Sequence, residues 1–332
     1  MCFNKVLINK KYINALIKKK SMSDIKTDVE QNFVTFLREA KELGKNLPIE
    51  EYDKVIIAGM GGSGISGDLL QIMFPNIITI HNYSLPENVN NKTLVIVCSY
   101  SGNTEEMIAL YNEARKKICQ VIVITSGGRL KEKSIKDKVP YVKIPSFIQP
   151  RASIPYMLLP LMNVLQYEIP DVSKLIETLR SQKIRNKAKE LAEKLVDKIP
   201  IIYSSKKIYA VAYRWKTQFN ENTKIHAFSN AFPELNHNEI EAYENLVGDY
   251  HIILLVDEAD SLRIKKRMEV MKKLIMEKGV SVTEIAITGK NLFSRIITEF
   301  YLGDLTSIYL AEKYEIDPTP VELIEKFKKQ LK

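Results

Sequence analysis

The sequence predicts an α/β protein of two successive domains, each a mainly parallel sheet flanked by helices. Three observations carry this. Short β-branched runs alternate with helical stretches of ten or more residues, the pattern of βαβ units. The alternation pauses over a charged, helix-periodic segment and then resumes. The first β run leads directly into the glycine-rich turn GMGGSGISGD, Gly59 to Asp68, at the kind of strand end where parallel sheets hold ligands.

The elements follow in order. Lys54–Ala58 reads as a buried strand, Gly64–Met73 as a helix and Ile77–Ile80 as a strand. Thr93–Cys98 is a strand, Thr104 to about Lys116 a helix, Gln120–Thr125 a strand, and a short strand lies near Tyr141–Ile144. Residues 171–198 are charged and helical in period, which reads as a connecting helix. Beyond them, Ile201–Tyr203 and Ile208–Val211 are strand-like, Trp215–Asn222 helical and Ile225–Phe228 a strand. Ile252–Val256 is a buried strand, Ser261–Lys278 a helix and Val280–Ile287 a strand. Helices close the chain from about Asn291 to Tyr314 and from Pro320 to the end. The expected divisions are an N-terminal extension over 1–30, a first domain over 31–168, the connecting helix over 169–198 and a second domain over 199–332. The extension reads as disordered, or as an early start ahead of a true start at Met22.

Composition narrows the function. No apolar run approaches the roughly 18 residues of a membrane span, and the Lys-rich first twenty residues lack a small-residue cleavage site. Cys2, Cys98 and Cys119 form neither a disulfide framework nor a zinc knuckle, which suits the cytoplasm. The net charge of +9 comes from lysines mixed with glutamates along helices, without a basic arm or helix-turn-helix. That is a solvated surface whose field favours an anionic substrate; no nucleic acid or membrane partner is expected.

Gly59, Gly61 and Gly64 satisfy G-x-G-x-x-G, but a dinucleotide site needs an acid at the end of the second strand, about 20 residues on. Here that strand ends in His81 and Asn82, and the next acid is Glu87. The second loop, SYSGNTEE from Ser99 to Glu106, identifies a different anion. Ser99, Ser101 and Thr104 place three hydroxyls at a helix start, with Gly102 between them. A phosphate monoester suits neutral donors and a positive helix end, whereas a simple N-cap accounts for one hydroxyl. With Gly62 and Ser63 on the neighbouring strand end, residues 50–165 resemble the sugar isomerase (SIS) domain, a phosphosugar-binding module.

The second half adds RWKTQFNENTK, Arg214 to Lys224, an amphipathic helix with Glu221 near its end. It also contains FPELNHNEIEAY, Phe232 to Tyr243, a polar turn with His237 between two asparagines. Glu221 and His237 are sixteen residues apart across one strand, so both are expected at one cleft edge. QPRASIPY sets Arg151 beside Pro150, and VELIEKFKKQLK spaces Lys328 to face inward with Ile324 and Leu331. His81, His226, His237 and His251 show no ligand spacing, so no metal is expected.

Taken together, the phosphate loop, Arg151, Glu221, His237 and Lys328 resemble the archaeal-type bifunctional phosphoglucose/phosphomannose isomerase family beyond about residue 30. That resemblance implies two SIS-type domains and a metal- and cofactor-independent aldose–ketose isomerase. It implies interconversion of glucose 6-phosphate and mannose 6-phosphate with fructose 6-phosphate through a cis-enediol. Glu221 would move the proton between C1 and C2, and Arg151 would stabilise the enediolate. His237 and Lys328 would transfer protons in ring opening, while Gly62, Ser63, Ser99, Ser101 and Thr104 hold the phosphate. It further implies a homodimer in which the partner contributes the histidine. Acceptance of mannose 6-phosphate would involve a threonine near C2, where register from Lys328 places Val321 and the nearest threonine is Thr319. Either the loop shifts by two residues or the contact is missing. The alternatives are a non-catalytic SIS phosphosugar sensor, which needs no Glu221 or Arg151, and another SIS sugar-phosphate isomerase, typically single-domain or fused to an amidotransferase.

Overall fold

The computed structural model describes residues 24–331, in two compact units that divide between Asp171 and Val172. Most of the expected extension over 1–30, with Met22, lies outside the described residues. Its last residues are folded. Ile25–Thr27 and Asp28–Asn32 form helical turns leading into α1, Phe33–Ala40, and Ile25, Val29, Phe33, Phe36 and Leu37 are buried.

In the first unit, β1 (Lys54–Gly59), α2 (Gly61–Met73), β2 (Ile78–Ile80), β3 (Thr93–Cys98), α3 (Glu105–Lys116), β4 (Gln120–Thr125), α4 (Gly128–Lys136), β5 (Tyr141–Lys143) and α5 (Ile154–Val164) alternate strictly after β2. All strands are parallel, in the order β2-β1-β3-β4-β5. Every residue of β3 is buried, which is why it reads as a continuous apolar run rather than an alternating one. One face of the sheet packs Ile56, Val95, Val97 and Val123 against Met107, Leu110 and Tyr111 of α3. Because β1 leads outward to β2 while β3 leads on to β4, strand order reverses between β1 and β3. That switch point is where open sheets bind ligands. The register pairs Gly59 with Cys98, so the glycine turn and the serine loop leave the sheet side by side.

The sequence pattern did not announce α5. Its segment IPYMLLPLMNV is buried almost all round and carries two prolines, so no amphipathic stripe marks it as a helix. Pro155 fits the first turn, where its missing N–H costs nothing.

The second unit opens with two helices, α6 (Ser173–Arg180) and α7 (Gln182–Leu195), where one connecting helix was expected. Ser181 separates them by capping α7, its hydroxyl accepting from the Ile184 N–H at 3.4 Å. There follow β6 (Ile199–Ser205), α8 (Tyr209–Gln218), β7 (Phe228–Phe232), β8 (Tyr250–Asp257), α9 (Leu262–Glu277), β9 (Ser281–Ile287), α10 (Leu292–Lys313) and α11 (Glu322–Gln330). The strands are parallel in the order β7-β6-β8-β9. The strand expected at Ile208–Val211 is instead the end of a 3-10 turn, Lys206–Ile208, and the start of α8. Ile208, Val211, Ala212, Trp215 and Phe219 are all buried, which is helical rather than alternating spacing. The strand expected at Ile225–Phe228 falls later, because the chain first completes a π-helical turn, Phe219–Thr223. Each unit is thus a parallel sheet flanked by helices. Among the described residues, no helix is long and apolar enough to cross a membrane.

Candidate active site

The glycine turn, the serine loop and the Arg151 segment converge in the first unit. Met60 is extended and α2 begins at Gly61, three residues before the expected Gly64, with Gly61 in the left-handed region at φ 51°. A Cβ on Gly62 would lie 3.0 Å from the Pro150 carbonyl oxygen and 3.3 Å from Arg151 Cα. Glycine at position 62 is therefore what lets the Pro150–Ala152 turn rest on the start of α2 and brings Arg151 to it.

Ser63 ties this turn to the serine loop: the Tyr100 N–H donates to Ser63 Oγ at 3.0 Å. Within the serine loop, Ser99 Oγ and Thr104 Oγ1 are 2.8 Å apart, and the Gly102 N–H donates to Ser99 Oγ at 3.1 Å. Gly102 takes φ 68°. Thr104 occupies the N-cap of α3 but makes no side-chain cap bond, so its hydroxyl does not serve the helix's first N–H groups. Simple capping does not explain these hydroxyls. Ser99 is buried, while Ser101 is exposed at the tip, where its Oγ accepts from the Asn103 N–H at 3.1 Å. Glu105 and Glu106 occupy the first turn of α3 and offset the positive field of that helix end, which leaves directed donors as the stronger means of holding an anion here.

Arg151 is only 3% exposed. Its Nη1 donates to Gln149 Oε1 at 3.5 Å, and the Gln149 N–H donates to Asp28 Oδ2 at 2.9 Å. The Ile148 N–H donates to the Tyr100 hydroxyl at 2.9 Å, which links the arginine segment back to the serine loop. A third loop, between β4 and α4, braces the assembly and was not singled out in the sequence, although its SGG repeats the serine–glycine signal. Ser126 Oγ donates to the Tyr100 carbonyl at 2.7 Å, and the Leu130 N–H donates to the Gly102 carbonyl at 2.9 Å.

In the second unit, Glu221 is half-buried in the π-helical turn Phe219–Thr223. π turns are rare and concentrate at functional sites. This one is anchored from below: Asn222 Nδ2 donates to Ser307 Oγ at 2.8 Å, and Thr223 Oγ1 donates to the Phe219 carbonyl. Lys224, with φ 58°, sends Nζ to the Glu221 carbonyl, to the Pro320 carbonyl at 2.6 Å and to that of Pro318 at 3.3 Å. That ammonium fastens the glutamate turn to the loop that precedes α11. Thr319 lies in the fastened loop, whereas Val321 is already the N-cap of α11. Sequence reading had no signal for Lys224.

His237 ends a 3-10 turn, Glu234–His237, and is exposed. Its flanking asparagines are engaged elsewhere: Asn236 accepts from Arg267 Nη1 at 3.3 Å, and Asn238 Nδ2 donates to Glu234 Oε1 at 3.1 Å. The expectation that Glu221 and His237 reach one cleft edge within a chain is overturned. The chain runs down α8 to the amino edge of the sheet before β7, and leaves β7 at its carboxyl edge. Glu221 and His237 therefore stand at opposite ends of β7, whose five residues span about 17 Å.

Lys328 also departs from expectation. α11 has no buried residue, and Lys328 faces solvent beside Glu325 at 3.6 Å instead of pointing inward. Leu323, Ile324, Phe327 and Leu331 are exposed with it, so the helix presents an apolar stripe that none of the described residues covers. His251 is a core residue, bonded to Thr283 Oγ1 at 2.8 Å, and burial pushes its pKa down to about 4.

Residues 184–331 match the family model described as the bacterial phospho-glucose isomerase C-terminal SIS domain. A bifunctional phosphoglucose/phosphomannose isomerase of Caldicellulosiruptor bescii is 39% identical over 323 residues, covering 89% of this chain and 95% of that protein. One from Thermoplasma volcanium is 38% identical over 301 residues, covering 89% and 97%. In fold, a hypothetical protein of Thermus thermophilus aligns with a TM-score of 0.71 at 15% identity, over 97% of this chain and 94% of that one.

Proposed function

The chain belongs to the bifunctional phosphoglucose/phosphomannose isomerase family, and from that premise we propose how its residues carry out the reaction. It interconverts glucose 6-phosphate and mannose 6-phosphate with fructose 6-phosphate, on two SIS-type domains. The observation that carries the site is the convergence of Gly62, Ser63, Ser99, Ser101, Thr104 and Arg151 at the β1/β3 switch point. Hydroxyls and N–H groups there suit a phosphate monoester.

Moving a proton between C1 and C2 needs one carboxylate poised over the enediol plane, and Glu221 on its braced turn takes that role. Arg151 stabilises the enediolate charge, a preorganised electrostatic contribution. His237 and Lys328 transfer protons at the ring oxygen and the O1 hydroxyl as the cyclic sugar opens. No step of this route calls on a metal or cofactor.

The separation of Glu221 and His237 along β7 supports a two-chain site in which the partner's His237 meets Glu221. The uncovered stripe of α11 gives a second copy an apolar surface to bury. The proposal is that of a homodimer whose active site is completed across the interface.

Purified protein assayed in EDTA on all three hexose 6-phosphates tests the activity. Turnover of both aldose phosphates to fructose 6-phosphate is the expected result, and no turnover of any would refute it. Ser101→Ala is expected to raise KM for fructose 6-phosphate several-fold with little change in Tm, since Ser101 sits exposed at the loop tip. An unchanged KM would take this loop out of the phosphate site.

A further inference from the structure

The strand β2 ends at Ile80, and the next residue, His81, turns its ring into the glycine turn. Nδ1 lies 2.6 Å from the Gly59 carbonyl oxygen, and Nε2 lies 2.9 Å from Asp68 Oδ1. A carbonyl and an ionised carboxylate are both acceptors only. A neutral imidazole has one N–H and can serve one of them, so serving both requires the imidazolium. His81 thus links the last residue of β1 to the second turn of α2, spanning the glycine turn like a latch. The space is filled closely: a Cβ on Gly64 would lie 2.7 Å from His81 Nδ1 and 2.4 Å from the Gly59 oxygen. Gly64 is glycine because the ring and the carbonyl occupy the place a side chain would take.

We propose that His81 is a positioning residue for phosphate binding. As an imidazolium it fixes the turn that carries Gly62 and Ser63, and it adds a positive charge beside the phosphate cradle. This rests on reading those loops as the phosphate site. Of the groups packed around the ring among the described residues, Asp68 from α2 is the charged one and the Gly59 carbonyl from β1 the polar one.

The direction with pH follows. The hydrogen bond to Asp68 raises the His81 pKa above the ordinary histidine value, against a smaller opposing effect of burial. The latch is complete below the ordinary value and is lost as pH rises through the raised one. A neutral ring keeps one bond at most and turns a lone pair toward the other acceptor.

The test measures KM and kcat for fructose 6-phosphate, and inhibition by inorganic phosphate, above about pH 7, where a phosphate ester is already mostly dianionic. Wild type, His81→Asn and Ser101→Ala are compared. In wild type, KM and the phosphate inhibition constant should rise several-fold with pH while kcat moves less. In His81→Asn both constants should already be raised near neutral pH, and this rise with pH should vanish. If His81→Asn keeps the wild-type profile while Ser101→Ala raises KM, the latch is wrong and the phosphate site stands. If neither variant changes KM or phosphate inhibition, the phosphate site is elsewhere and the latch falls with it. Should His81→Asn fail to fold, Asp68→Asn interrogates the same latch. It lowers the histidine pKa, so the rise in KM should move to lower pH, and an unmoved profile would overturn the proposal.

Discussion

Glu221→Gln is expected to lower kcat by about 10²–10⁴-fold while leaving fructose 6-phosphate binding within a few-fold. The substitution keeps shape and hydrogen-bonding capacity but removes the base. The turn that carries the residue is held by Asn222 on Ser307, by Thr223 on Phe219 and by Lys224 on the Pro318 and Pro320 carbonyls, none of which needs the Glu221 carboxylate. A loss of turnover at unchanged Tm would report on the carboxylate's chemistry. The acids of the His237 loop, at the other end of β7, have hydrogen-bond partners of their own. Glu239 accepts from the Tyr203 hydroxyl at 2.6 Å and from Asn230, and Glu234 accepts from Asn238. Near-normal turnover in Glu221→Gln, measured with a coupled assay, would nonetheless move the base to one of them.

The largest stability effect is expected at Asp304. Arg214 on α8 meets Asp304 on α10 through two bonds, Nε to Oδ1 at 3.1 Å and Nη2 to Oδ2 at 3.0 Å. Both side chains are buried, and the guanidinium lies 4.7 Å from the centre of the Phe300 ring. Asp304→Ala deprives a buried guanidinium of this bidentate partner, which costs about 3–5 kcal/mol, or on the order of 10 °C in Tm for a unit of this size. Replacing both members, as Arg214→Met with Asp304→Leu, should recover much of that, because the cost lies in the stranded charge rather than in the lost pair. A double variant as unstable as the single one, measured by thermal unfolding, would show that the pair contributes in another way. Ser307 is three residues along α10 from Asp304 and donates to its carbonyl at 2.8 Å, so the same network underlies the glutamate turn.

Much of the first unit was legible in the sequence. Buried parallel strands such as Thr93–Cys98 and Gln120–Thr125 carry uninterrupted apolar runs, and glycine or serine clusters mark where they end. What escaped has physical causes. α5 is buried too completely to show a stripe, and Ile208–Val211 is β-branched at both ends yet belongs to a helix whose buried positions recur every three or four residues. Spacing alone could not say that Glu221 and His237 stand at opposite edges of the sheet. Only the parallel direction of β7, with a helix returning before it, fixes that. Lys328 was read as inward because Ile324 and Leu331 share its face. Among the described residues nothing packs against that face. The latch residue His81 was visible as the wrong end for a nucleotide-binding strand, without a hint of its own partners.

The central claim is that one active site takes Glu221 from one chain and His237 from the other. It is tested most directly by mixing two variants, Glu221→Gln and His237→Asn, each severely impaired alone, under conditions where subunit exchange is verified. Each mixed dimer then contains one site with both groups intact and one with neither. Recovery of isomerase activity that tracks the fraction of mixed dimers is the predicted result. Complete exchange with no recovery would contradict the account, leaving Glu221 and His237 unable to meet across the interface.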